Sequence, residues 1–399
     1  MMIKKSPKIL QIFNRYLEYG GEEGSVPRIA NVLKKVGRVT LYEGSTEKIL
    51  ERPGGKYLMP FLMQKNSKVL ADLEAIHNRE KFDVWQVHNV FPGLSVAVYE
   101  LAAKLGVPVI QYLHNYRFGC ASATYFRDGK VCVECRPDCF APAIKHRCWR
   151  GSLLATASMV AALKRFWTAG GIENIKAFIA LSEAQKKMHV NMGLPEEKIH
   201  VLQHFLEDGE QDSADPPTDG DVLYIGRLTE EKGAALLIRC WARVDSKERR
   251  LRIVGKGEAS DDLKKLVEEE KINNVIFEGF VPKEKQISLW NEASFFVAPS
   301  VWNEPFGMVV LEAWKQSRPV LATRLGSYPD LITDGEDGWL ADPDDESFAE
   351  ALQVALDSSA ECKRMGRVGR CKLLSEYSES KWLDGWLNIY KEAIGSEGQ

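Results

Sequence analysis

The sequence predicts an α/β protein made of two doubly wound, Rossmann-like domains that face each other across a cleft. Three observations carry this. Short β-branched runs alternate with helical patterns from end to end, the signature of parallel sheets wrapped by helices. The 399 residues are too many for one ordinary core and suggest two or three. One acidic stretch with prolines and glycines, residues 207–220, breaks the alternation near the middle.

Composition removes several classes. With 45% hydrophobic and 27% charged residues and a net charge of −3, the chain is not disordered, and no global charge favours nucleic acid. The start, Met1-Met2-Ile3-Lys4-Lys5, is basic, but Gln11, Asn14 and Arg15 interrupt the following run, so no signal peptide is expected. The uncharged stretch 85–99 carries Gln, His, Asn and Pro and falls short of the roughly 20 apolar residues of a span. A cytoplasmic protein is expected, at most resting on the inner face of the membrane.

The first domain, expected over residues 1–206, opens with the strand Ile9-Leu10-Gln11-Ile12-Phe13. Next comes Tyr19-Gly20-Gly21-Glu22-Glu23-Gly24-Ser25, where glycines admit close backbone approach to a ligand and Ser25 is expected to cap a helix. Strands at 84–87 and 107–112 each run into a His-Asn pair, His88-Asn89 and His114-Asn115. Both pairs fall at carboxyl ends of strands, where open parallel sheets bind ligands. The remaining histidines, His77, His189 and His200 among them, read as surface or packing residues. Residues 153–167 are apolar and then basic, ending Lys164-Arg165-Phe166-Trp167, and are read as a helix that either belongs to the core or rests on a membrane. A strand at 177–181 leads into a helix whose Ser182 and Gln185 fit a capping box.

Residues 207–220 hold six acidic residues, no basic ones, two prolines and two glycines, and are read as the linker. The second domain, 221–377, repeats the pattern with strands at 222–225, 251–254, 275–277, 295–298 and 320–322. In 378–399, Trp382, Trp386, Ile389 and Tyr390 recur at helical spacing, so a closing helix is expected to pack back on the first domain.

The densest chemical signal is Pro299-Ser300-Val301-Trp302-Asn303-Glu304-Pro305-Phe306-Gly307-Met308, followed by a helix with Glu312. Pro305 biases Glu304 toward extended backbone, and Gly307 opens a helix whose free N–H groups and dipole favour an anion. Upstream, Gly226-Arg227-Leu228-Thr229-Glu230-Glu231-Lys232-Gly233 sets two cations on a strand-to-helix turn, able to converge on a diphosphate. Asp219-Gly220-Asp221 and Asp342-Pro343-Asp344 are read as turn chemistry rather than metal sites.

These elements resemble the retaining glycosyltransferases of family 4, with the two-domain fold called GT-B, in particular bacterial members that build surface polysaccharides. Glu304 and Glu312 match the family's paired glutamates, and Arg227 and Lys232 match its basic pair. The resemblance implies that Arg227 and Lys232 bind a sugar nucleotide's diphosphate, and that Glu312 holds its ribose. It also implies that Glu304 contacts the transferred sugar and that the amides of Phe306, Gly307 and Met308 complete the pocket. It places Gly20 and Gly21 against the donor phosphate and acceptor, and His114 on the active-site wall. The loop Gly326-Ser327-Tyr328-Pro329-Asp330 departs from the family, which usually shows paired glycines there and a later Glu.

Five of the eight cysteines fall between Cys120 and Cys148, within an insert at 116–150. Cys132 and Cys135 have metal-knuckle spacing, and Cys120 and Cys148 are read as completing a structural zinc site, free thiols or a disulfide being the alternative.

The function expected is retaining transfer of a sugar from a nucleotide-diphosphate donor to a glycan or lipid-linked acceptor in cell-surface polysaccharide or lipopolysaccharide synthesis. Catalysis is expected to need no metal, since two cations and the helix amides serve the leaving group. The rivals are a sugar-nucleotide epimerase on the same fold and a catalytically silent, zinc-stabilised interaction protein.

Overall fold

The computed structural model describes residues 6–17, 20–207 and 214–395. The residues read as the start of the chain (1–5), part of the glycine loop (18–19) and the middle of the linker (208–213) lie outside these.

The first sheet contains β1 (Lys8–Arg15), β2 (Arg38–Ser45), β3 (Val84–Asn89) and β4 (Val109–Tyr112). A small hairpin, β5 (Phe126–Arg127) and β6 (Lys130–Val131), lies in the cysteine-bearing segment. The sheet is completed by β7 (Ile175–Ala180) and β8 (Ile199–Val201). Its order is β2-β1-β3-β4-β7-β8, and every pairing is parallel.

The second sheet is built from β9 (Asp221–Ile225), β10 (Leu251–Val254), β11 (Val275–Gly279), β12 (Ala293–Ala298), β13 (Val320–Thr323) and β14 (Gly338–Ala341). Its order, β11-β10-β9-β12-β13-β14, is again wholly parallel. Each sheet changes winding direction beside its first strand, at β1/β3 and at β9/β12. A crevice opens at such a point, outside the carboxyl ends of the strands.

Three strands of the two six-stranded sheets escaped the sequence reading. β2 is only half-buried and carries Arg, Thr, Glu, Gly and Ser, while β8 and β14 are only three and four residues long, too short for a period to stand out. Conversely, the central strands β1, β3 and β4 bury polar side chains, Gln11, Gln86, His88 and Gln111, where two-sided burial calls for apolar ones.

Local chemistry differs from expectation at two helix starts. Helix Gly21–Leu33 is capped at Gly20 by Glu23, whose carboxylate accepts the N–H groups of Gly20 at 2.8 Å and Tyr16 at 3.2 Å. Ser25 is therefore no cap; it lies inside the helix and donates to the carbonyl of Gly21 at 2.8 Å. Ser182 does cap its helix, accepting from Gln185 N–H at 3.1 Å, while Gln185 reaches back to the N–H of Leu181 at 2.7 Å.

The helix Leu153–Thr168 buries Phe166 and pairs Arg165 with Glu100 at 2.7 Å, so its basic end serves packing rather than a membrane. Only its start is apolar and open, with Leu153 and Leu154 exposed.

The helix Glu379–Ile394 lies against β4, β7 and helix Gly21–Leu33 of the first half. Trp386 is fully buried there and donates its indole N–H to Gln86 at 2.6 Å, and Trp382 meets Phe205 with ring centroids 4.9 Å apart. One hydrophobic cluster runs through this contact and includes residues of both halves, among them Tyr112, Phe306, Tyr328 and Trp386.

Candidate active site

A cleft of about 810 Å³ lies between the carboxyl ends of the two sheets. From the second half it receives Arg227, Lys232, Glu304, Phe306, Gly307 and Met308; from the first, Gly20, Gly21 and His114. These residues come from four separate loops, gathered because the strands within each sheet run parallel and put their carboxyl ends on the edge that faces the cleft.

The loop 299–307 is held rigidly. Gly233 (φ +72°) packs so closely that a Cβ would stand 1.8 Å from the carbonyl oxygen of Pro299. Gly307 (φ +86°) caps helix Met308–Lys315, and a Cβ there would meet the Tyr328 ring at 2.6 Å. The departing segment 326–330 turns out to be the brace of this loop. Ser327 donates its backbone N–H to Glu304's carbonyl (3.0 Å) and its hydroxyl to Phe306's carbonyl (2.5 Å), with Tyr328 buried behind.

Glu304 is the best-anchored carboxylate in the cleft. It accepts from Lys232 at 2.7 and 3.0 Å, from the Trp302 indole N–H at 2.9 Å and from the Ser300 hydroxyl at 3.3 Å. Lys232 also stands 5.1 Å from the centroid of the Trp302 ring. Arg227 is half-exposed and pairs with Glu231 at 3.2 Å. Glu312 stands apart from the cleft lining, about one turn further along helix Met308–Lys315, bonded to Lys283 at 2.5 Å.

On the first half the wall is a stack of rings: His88, Tyr112, His114 and His204, with successive centroids 5.0, 5.2 and 5.9 Å apart. The amides of Gln11 and Gln86 donate to His88 Nε2 at 3.1 and 3.0 Å. His88 therefore carries its proton on Nδ1 and gives it to His114 Nε2 at 2.9 Å, leaving the His114 proton on Nδ1. Burial lowers His114 to about 3, and His88 and His204 fall well below the ordinary range, so the stack is neutral near pH 7. His204 corrects the reading of the other histidines as surface or packing residues. It lines the cleft and meets the Phe306 ring edge-on at 5.3 Å. No local motif flags it; the buried glutamines under the stack were the available signal.

Cys120, Cys132, Cys135 and Cys148 share a neighbourhood at the cleft's edge, which Cys148 lines. Burial first, then the neighbouring thiols of Cys120, Cys148 and Cys132, push Cys135 up to about 12. All four are free thiols, and Cys120 lies 3.1 Å from the Ser122 hydroxyl. Among the described residues no three His, Cys, Asp or Glu side chains are arranged to hold a metal ion. Asp221 binds Arg250 and Arg252, and Asp344 caps a helix, which accounts for both Asp-x-Asp sequences as local structure.

Two family models match the chain end to end with each other: Glycosyltransferase Family 4 over residues 28–208, and Glycosyl transferases group 1 over residues 207–372. This chain belongs to those glycosyltransferases. Among its relatives is the lipopolysaccharide core biosynthesis glycosyltransferase LpsE of Rhizobium meliloti, 30% identical over 48% of this chain and 57% of LpsE. Alpha-maltose-1-phosphate synthase of Mycobacterium tuberculosis is 28% identical over 54% of this chain and 63% of its own. The chain thus spans little more than half the length of these curated relatives.

Solved structures align over nearly the whole glycosyltransferase. A glycosyltransferase from Rickettsia africae matches with TM-score 0.68 at 17% identity, covering 98% of this chain and 99% of that one. HepE of Anabaena, solved in complex with UDP, matches with TM-score 0.67 at 16% identity, covering 96% and 98%. At such identities the likeness establishes the GT-B fold.

Proposed function

We propose that this protein transfers a sugar, with retention at the anomeric carbon, from a nucleotide-diphosphate sugar to a glycan or lipid-linked acceptor in the building of cell-surface polysaccharide or lipopolysaccharide. The observation that carries the reading is the convergence of Arg227, Lys232, Glu304 and the start of helix Met308–Lys315 on one cleft. Two cations and free helix N–H groups suit a departing diphosphate, and the anchored carboxylate suits a polyhydroxylated sugar. Charge supplied this way makes a catalytic metal unnecessary in the proposal. The UDP complex of HepE and the named role of LpsE support a nucleotide donor and a surface-glycan product.

Binding at the inner face of the membrane is the finer part of the proposal. No helix among the described residues is long and apolar enough to cross a membrane. Leu153 and Leu154 are nevertheless exposed, beside helix Gly55–Gln64 with its exposed Tyr57 and Phe61, a patch suited to an interfacial contact. Structural zinc on Cys120, Cys132, Cys135 and Cys148 is also proposed, on the knuckle spacing and the shared neighbourhood. Purified protein is expected to carry about one zinc per chain; metal-free protein with unchanged melting refutes it.

The main test is calorimetry against a panel of nucleotide-diphosphate hexoses, followed by product analysis with the donor that binds. Arg227→Ala and Glu304→Gln are each expected to cut turnover by about 100-fold or more. The half-exposed Arg227 should shift melting little, whereas Glu304→Gln also breaks the pair with Lys232, and its turnover is compared at a temperature where melting shows it folded. Turnover at the native level in both removes the site assignment.

A further inference from the structure

The proposed transfer leaves one question at the first half of the cleft: which group receives the acceptor. The glycine loop was singled out for its backbone, yet the side chain that reaches furthest into chemistry there is Glu22. It is the second residue of helix Gly21–Leu33, half-buried on the cleft wall. Both of its oxygens are oriented: the Asn115 amide donates to Oε1 at 2.8 Å and the Asn89 amide to Oε2 at 3.4 Å. Neither donor is local, since they come from the ends of β4 and β3. The two His-Asn pairs of the sequence thus do separate work, the histidines building the stack and the asparagines holding one carboxyl.

Arg117 lies on the same wall, 7% exposed and 4.2 Å from the centroid of the Trp149 ring. Its Nη1 donates to the carbonyl of Ala121, while its Nε has no hydrogen-bond partner among the described residues. That Nε is sealed against the protein rather than open to the cleft, so what Arg117 offers a ligand is its positive charge close to Glu22. A carboxylate fixed by two neutral amides on a cleft wall matches one ligand group well: a hydroxyl, which donates to it.

Resting on the transferase reading, we propose that Glu22, steadied by Asn89 and Asn115 and working beside Arg117, binds and orients the acceptor's attacking hydroxyl. The acceptor class is then a polyhydroxylated carbohydrate presented from the first half of the cleft. The charged and titratable groups facing Glu22 are Glu23 on its own helix, Arg117 after β4 and Tyr16 after β1. Burial, reinforced by Glu23 and opposed by Arg117, Asn115 and Asn89, raises Glu22 to about 8. The hydroxyl-accepting, ionised form therefore grows in as pH rises through about 8, and turnover should rise with it.

The test compares wild type with Glu22→Gln. Binding of the nucleotide-diphosphate hexose chosen by the panel is measured by calorimetry. Release of nucleotide diphosphate is then followed from pH 6 to 9.5 with water alone and with a series of octyl hexopyranosides as acceptor probes. Expected results are donor affinity within about twofold of wild type, kcat reduced by about 30-fold or more, and loss of the alkaline rise in rate. Should Gln unsettle the fold, as judged by melting, Glu22→Asp keeps the charge but withdraws it, and is expected to keep the alkaline rise with a reduced kcat.

Wild-type turnover in Glu22→Gln overturns the proposal, as does a loss that follows donor affinity or an alkaline rise that persists. If wild type binds no nucleotide-diphosphate sugar, the transferase reading falls, and this proposal with it. Donor binding that survives while only acceptor-dependent turnover is lost separates the two.

Discussion

Two carboxylates in this cleft sit in contrasting surroundings. Glu304 is saturated by Lys232, Trp302 and Ser300, and its charge is matched where it sits. Glu22 has neutral amides for partners and pays for its burial in a raised pKa. The histidine stack makes a stability prediction of its own. His88, His114 and His204 are held neutral by burial, their folded pKa values lying below the unfolded value near 6.5. Between those values the unfolded chain binds more protons, so stability is full above pH 6.5 and falls as pH drops through the window below it. Each histidine contributes a slope approaching about 1.4 kcal/mol per pH unit. Denaturant titrations at pH 7.5, 6 and 5 should show the decline, and His114→Gln should lessen its slope by roughly one proton.

Glycines at two helix starts show how one residue type serves opposite needs at the scale of the element. At Gly307 the backbone is left-handed and the Tyr328 ring fills the space of a Cβ. Gly307→Ala is expected to cost about 1–3 kcal/mol and to weaken donor binding, since the helix start carries the anion-facing amides. At Gly21 a Cβ would meet nothing within 4 Å, so Gly21→Ala should leave melting unchanged or slightly raised. Any loss of turnover there would report on ligand contact alone. Paired melting and turnover measurements distinguish the two sites.

The tie between the halves is made by the last helix at the level of the whole molecule. Trp386 is fully enclosed against the first sheet and bonds to Gln86, which in turn bonds to His88 beneath the cleft. Trp386→Ala should cost about 3–5 kcal/mol in denaturant unfolding and lower turnover by loosening the histidine stack. Trp386→Phe keeps most of the packing but strands the Gln86 oxygen, an expected loss of about 1–3 kcal/mol. Equal stability in both variants and wild type would mean that the helix is not a structural tie.

Much of this architecture is written in short-range pattern. The β-branched runs, the acidic break at 207–220 and the Trp382/Trp386 spacing depend on neighbours within a few residues, so they are legible without coordinates. The same holds for Arg227, Lys232 and Glu304, whose motifs are contiguous. Only the tertiary structure brought His204 to the wall, Asn89 and Asn115 onto Glu22, and Lys232 onto Glu304. It also moved Glu312 off the cleft lining and drew four thiols together without a metal-holding arrangement. The reason is physical: propensity and periodicity act along the chain, whereas the partner of a buried polar group is set by which strands and loops a fold stacks side by side, tens or hundreds of residues apart.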